Sequence, residues 1–164
     1  MLRFAIGYGI WVSLLFILLY IEGLSPLFFI SEMQTQLTIQ LTEIWISFFH
    51  IPVIQQGDTL ILEHGMQLQI LHECNGLVPY LLLISAILAF PTSLKSKVLW
   101  MVIFYGLLLV INMLRIYLIT LVVIDSPDLF KISHDWVGRY SVGILTLLLF
   151  YWFTNKVTVT SLKR

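Results

Sequence analysis

Charge is scarce in this chain. Asp, Glu, Lys and Arg make up 11% of its 164 residues, against about a quarter in soluble globular domains. Such a chain cannot cover itself with a polar shell, which argues against a soluble enzyme and against a disordered segment. An excess of one sign is missing too. Nine basic residues balance nine acidic ones, so nothing points to a polyanionic partner and no nucleic acid is expected. Cysteine is nearly absent: Cys74 is the only one. That excludes a disulfide within the chain and a four-cysteine zinc site. What fills the chain instead is apolar, 59% of all residues, in a length suited to one domain.

The apolar residues gather into four runs, Phe4 to Ile21, Leu77 to Phe90, Val98 to Ile124 and Trp136 to Phe153. A hydrocarbon layer about 30 Å thick takes roughly 20 helical residues. The first and fourth runs fit and the third is long. The second spans only if its helix begins near Cys74 or Asn75. The expectation is therefore an all-α integral membrane protein, a single membrane domain over residues 1–164. Its helices are expected over residues 4–21, 75–91, 98–121 and 136–154, with an external segment over 23–73. The first run has the look of a signal sequence, but Glu22-Gly23-Leu24-Ser25-Pro26 makes a poor cleavage site, which favours a retained anchor.

Basic residues orient the chain. With the N-terminus in the cytoplasm, Arg3, Lys95, Lys97, Lys156, Lys163 and Arg164 all fall at cytoplasmic ends. Both termini are then cytoplasmic. All nine acidic residues, from Glu22 to Asp135, fall outside, and Lys131 alone of the basic residues sits in an external loop.

In the external segment, Leu37, Leu41, Ile44, Trp45, Phe48 and Phe49 recur at helical spacing. Gln36, Thr38, Gln40, Thr42 and Glu43 fall mostly on the other face. The pattern predicts an amphipathic helix at the outer interface. Its competitor is a fifth, weakly apolar membrane helix. Thr59 to Leu62 and the alternating Met66 to Ile70, joined through Glu63-His64-Gly65, predict a small β-hairpin.

Several residues stand out on chemical grounds. Cys74 lies at the start of the second run, with Asn75 as a helix cap and Pro79 suited to a first turn. A helix N-terminus favours thiolate over thiol, although most free cysteines are small buried hydrophobes. Its neighbours His72, Glu73 and Asn75 argue against an inert apolar setting. Gly76 leaves open space beside the sulfur, where a substrate backbone has room to approach. Arg115 lies inside the third run, roughly 26 Å from Val98 along a helix, and a buried membrane charge is usually functional. Asn112, three residues earlier, shares its face. The plainer reading of Arg115 is a side chain snorkelling to the headgroups. His134 precedes the fourth run, with Asp135 beside it and Arg139 one turn on. As a lone loop histidine it is equally readable as a solvated surface residue. His50, His64 and His72 are also external, but no HxxxH or HxxE spacing accompanies them, so no metal is expected.

The topology brings Cys74, Arg115 and His134 to the same side of the bilayer at similar depth. A thiolate to attack a carbonyl, an imidazole to manage protons and a guanidinium for the oxyanion make a thiol acyl-transfer site. The plainer competitor is a non-catalytic membrane assembly or transporter subunit, in which Cys74 packs and Arg115 pairs with another helix. A third reading is a metal-dependent intramembrane protease.

The block Glu73-Cys74-Asn75-Gly76-Leu77, the stretch from Ala86 to Pro91, Asn112-Met113-Leu114-Arg115-Ile116 and His134-Asp135-Trp136 together resemble the exosortase/archaeosortase family, over about Gly57 to Phe153. The resemblance implies a sortase-like membrane cysteine transpeptidase with no cofactor. Cys74, Arg115 and His134 take the catalytic positions. Asn112, Asn75 and Gly76 support them, and Asp135 and Arg139 stand second in line. It implies partners among exported proteins carrying a C-terminal sorting signal, made of a short motif, a membrane helix and a basic tail. It also implies contact with membrane lipid, and a site on the periplasmic face of a bacterial inner membrane. Many relatives have about eight membrane helices. The shorter core here leaves room for a homo-oligomer or a membrane partner.

Overall fold

The computed structural model describes residues 2–62, 67–71 and 74–162. The order is α1 (Leu2–Leu19), α2 (Phe28–Phe48), β1 (Val53–Gln56), β2 (Thr59–Leu62), β3 (Gln67–Gln69), α3 (Leu77–Ala89), α4 (Leu94–Asp125), a 3-10 turn (Pro127–Leu129), α5 (Phe130–Ser133), a π-helical stretch (His134–Tyr140) and α6 (Ser141–Leu162). Among the described residues, three helical stretches are long and apolar enough to cross a membrane: Leu2–Leu19, Leu94–Asp125 and Phe130–Val157. The apolar α3 is shorter, at 13 residues. The chain is thus a mostly α, multi-pass membrane protein, and its residues turn outward accordingly. Ile6, Ile10, Val102, Ile144 and Leu148 are exposed, as suits a lipid surround.

Between α3 and α4 the chain turns back on itself, and the turn has a chemical cause. Pro91, just past α3, cannot continue a helix, and Ser93 caps α4 by accepting from the Ser96 amide. Lys97 reaches back to the Leu88 carbonyl at 2.5 Å, a cation on orphan groups at the end of α3. At this end of the bundle Phe4 stacks on Phe150, and Phe90 meets Phe150 and Phe153. Arg3, Lys95, Lys97 and Lys156 are therefore gathered together, away from Cys74. Leu83, Ile87, Phe104, Leu108, Leu149 and Phe153 form the core joining α3, α4 and α6.

A second core lies at the opposite end. Ile39 and Ile46 of α2, Leu60 and Leu62 of β2, Ile70 and Ile116 of α4 pack together, with Cys74 against them. The expected hairpin is here as β2–β3, pairing Leu60 with Leu68. A further strand, β1, pairs antiparallel with β2, Val53 opposite Leu62, so the hairpin becomes a three-stranded sheet. The Glu63-His64-Gly65 turn, His72, Glu73, Lys163 and Arg164 lie outside the described residues.

Helix α2 corrects one sequence expectation. Ile44 and Phe48 do face outward. Thr38 and Thr42, expected on the polar outer face, are fully buried, with Ser31, Gln34 and Thr35 beside them. α2 has three faces: apolar outside, polar outside (Glu32, Gln36, Gln40), and a polar stripe turned into the protein. For Gln34, Thr35 and Thr38 the reason is what they meet, the non-helical segment before α3, whose polar groups need partners, while the Ser31 and Thr42 hydroxyls are buried with no partner among the described residues.

Candidate active site

Between Leu71 and Leu77 the chain leaves the sheet and enters α3. Gly76 occupies the N-cap position with φ 79, a left-handed conformation that favours glycine. Asn75 supplies the cap from one residue before: its Oδ1 accepts from the Leu77 amide at 2.8 Å. Its Nδ2 donates to Thr35 Oγ1 at 3.0 Å and to the Ser31 carbonyl at 3.3 Å. Its own carbonyl accepts from Gln34 Nε2 and Thr38 Oγ1, each at 3.2 Å. The Gln34 amide is oriented in turn by the Tyr105 hydroxyl, which donates to Oε1 at 2.7 Å. Asn75 is fully buried, with its side-chain amide and its carbonyl matched. Gln34, Thr35, Thr38 and Tyr105 were missed in the sequence because nothing in their spacing points to residue 75.

The Cys74 backbone is held from the other side. Its amide donates to the Leu71 carbonyl at 2.8 Å, and its carbonyl accepts from Asn112 Nδ2 at 2.9 Å. Asn112 Oδ1 accepts from an Arg115 terminal nitrogen at 3.2 Å, so one amide ties Arg115 to the backbone of Cys74. Gly76 serves this contact. A Cβ there would lie 3.2–3.4 Å from three Asn112 side-chain atoms. The space expected for a substrate backbone is therefore filled by Asn112.

The half-buried Cys74 Sγ lies 3.7 Å from His134 Nε2. The other ring nitrogen, Nδ1, lies 3.5 Å from Asp135 Oδ1, a carboxylate suited to orienting the imidazole. His134 opens the seven-residue π-helical stretch. Such stretches are rare and frequent at functional sites. Here it turns His134, Gly138 and Arg139 toward one cavity. Gly138 lets α4 approach: a Cβ would sit 3.1 Å from an Arg115 terminal nitrogen and 3.2 Å from its Nε. That Nε is buried with no partner among the described residues. The Arg115 guanidinium faces both the Cys74 thiol and the Arg139 guanidinium.

Cys74, Arg115, His134 and Arg139 line one cavity of about 760 Å³, whose remaining walls are mostly apolar. Asn112, Asn75 and Gly76 lie behind it and hold the backbone. The arrangement can deprotonate a thiol and present a fixed guanidinium to an anion beside it.

A membrane protein with a cysteine, a histidine and an arginine around one cavity at a bundle end falls within a narrow class. The chain matches the family model of transmembrane exosortases over residues 3–151 and belongs to that family, which is generally one of cysteine transpeptidases acting on exported proteins. No curated protein and no solved structure matches it.

Proposed function

We propose that this protein is an exosortase-type cysteine transpeptidase, acting on exported proteins at the periplasmic face of a bacterial inner membrane. Its substrates carry a C-terminal sorting signal, a motif followed by a membrane helix and a basic tail. The observation that carries the reading is the 3.7 Å approach of Cys74 Sγ to His134 Nε2, with Asp135 behind the ring.

In the reaction, His134 takes the Cys74 proton, and the thiolate attacks the scissile carbonyl carbon. The carbonyl electron pair moves onto oxygen, which the Arg115 guanidinium, in the wall of the same cavity, stabilises. Collapse of the tetrahedral intermediate breaks the C–N bond. His134 gives its proton to the leaving amine, which departs with the substrate's membrane helix. The mature part remains as a thioester on Cys74. A second nucleophile, an acceptor amine or water, loses a proton to His134 and attacks the thioester. The C–S bond breaks and the thiol is restored. Asn112 and Asn75 keep Sγ and the guanidinium in fixed relation throughout.

The basic residues gathered at the end away from Cys74 support the orientation, since basic ends stay in the cytoplasm. The test is a secreted reporter carrying such a C-terminal signal, with mass spectrometry of the new C-terminus. The expected outcome is cleavage just outside the signal's helix, lost on replacing Cys74 by alanine. Cleavage that survives this replacement, or falls deep within the helix, overturns the reading.

A further inference from the structure

Below Cys74 and His134 the cavity continues along the bundle. On α3 it is lined by Val78, Leu82 and Ala86, and on α6 by Gly143, Leu147 and Phe150. Each set repeats every three or four residues and so forms one stripe along its helix. From Gly138 to Phe150 the α6 wall rises roughly 18 Å. The third wall is α1, through Tyr8 and Phe4. α1 buries none of its residues. It packs along α3, where Gly7 meets Ala89, but shares no extended seam with α6. The two helices meet at the stack of Phe4 on Phe150, ring centroids 5.8 Å apart. Above that stack the groove opens sideways between them. The Thr146 hydroxyl already donates to the Val142 carbonyl at 2.7 Å, so even this polar residue offers mainly its methyl.

We propose that this groove seats the substrate's own membrane helix, which enters sideways between α1 and α6. The inference rests on the exosortase-type reading above. Continuity with the site argues for this occupant: a helix lying in the groove brings the residues just before it to the Cys74 thiol. Size argues the same way. A 30 Å helix about 10 Å across fills roughly 2,400 Å³, while the cavity holds about 760 Å³. Only one side of such a helix is seated, and the rest faces lipid, which a membrane segment tolerates and a water-soluble peptide does not. Gly143 widens the wall, with nothing within 4 Å of where its Cβ would stand.

The test uses the full chain in membranes with the signal-bearing reporter. A photo-cross-linking residue replaces Leu147 in the groove or, as a control, Val102 on the exposed face of α4, each in a Cys74→Ala background that leaves the reporter intact. The expected result is an adduct between position 147 and the reporter's helix, at least tenfold above position 102. In the parent background, Gly143→Leu fills the groove and should slow reporter processing at least tenfold, while the protein extracts and migrates as before. Equal yields at 147 and 102, lipid-only adducts at 147, or unchanged processing by Gly143→Leu, with the parent still cleaving the reporter, overturns the inference alone. A parent protein that never cleaves the reporter overturns the function and the groove's role with it.

Discussion

On one side of Cys74, α2 and α4 grip the backbone of residues 74 and 75 through side-chain hydrogen bonds. On the other, α1 and α6 stand apart, joined by a ring stack over an apolar groove. The gripped side spends Ser31, Gln34, Thr35, Thr38, Tyr105 and Asn112 on two residues. Buried within the protein, the irregular backbone at the mouth of α3 has no water to turn to, so its N–H and C=O groups need protein partners. The open side has no such debt. Its walls are helices whose backbone bonds are internal and whose side chains are content in lipid. On the proposed function, the contrast separates two tasks, holding a nucleophile still and exchanging a membrane-embedded partner.

Four substitutions would break or sharpen that contrast. Cys74→Ala removes the group both sides serve, and processing of the reporter should fall below detection with expression unchanged. Arg115→Lys keeps a charge but not the planar fork bound to Asn112. Losing an oxyanion donor costs about 10²-fold or more in rate, so reporter turnover should drop by that order, and wild-type turnover would reduce Arg115 to a point charge. Gly76→Ala forces a side chain into a left-handed turn, about 1–2 kcal/mol, and against Asn112. Chemical denaturation in detergent should show the loss, and slower thiol labelling should show Cys74 displaced. Gln34→Leu, the mildest, leaves the Asn75 carbonyl with Thr38 alone. It also takes the acceptor from the Tyr105 hydroxyl; polar contacts within membranes average about 0.6 kcal/mol each, so stability should fall by about 1 kcal/mol. A twofold to fivefold loss of turnover beyond it would mark Gln34 as a positioning residue.

The open side was the more legible in sequence. Apolar runs at Phe4 to Ile21 and Trp136 to Phe153 announce membrane helices by length alone. The remote positions Cys74, Arg115 and His134 come to one end by counting crossings. The gripped side was hidden, because α2 carries two overlapping periodicities. The spacing of Leu37, Leu41, Ile44 and Phe48 is easy to see, while Thr38 and Thr42 read with Gln36, Gln40 and Glu43 as a solvated face, and Ser31, Gln34 and Thr35 carry no signal of their own. Only the position of Asn75 says otherwise. Strand β1 went unseen because Val53-Ile54-Gln55-Gln56 does not alternate, and its pairing with β2 is a tertiary fact. The role of Gly76 was misplaced for a similar reason: its φ and its contact with Asn112 belong to the fold. No residue pattern announces the π-helical stretch that turns His134 and Arg139 toward one cavity.

The shortness of α3 bears on the bilayer itself. Thirteen residues rise roughly 20 Å, while hydrocarbon is about 30 Å thick. With Lys97 fixed to the far end of α3, the thiol must either sit below the lipid surface or draw that surface inward. In the second case an elastic cost accompanies the fold, a fraction of a kcal/mol for each ångström of mismatch. Shorter-chain lipids relieve it and thicker bilayers add to it. The depth of Cys74, and with it the access of water or an acceptor to a thioester, then becomes a property shared between protein and membrane.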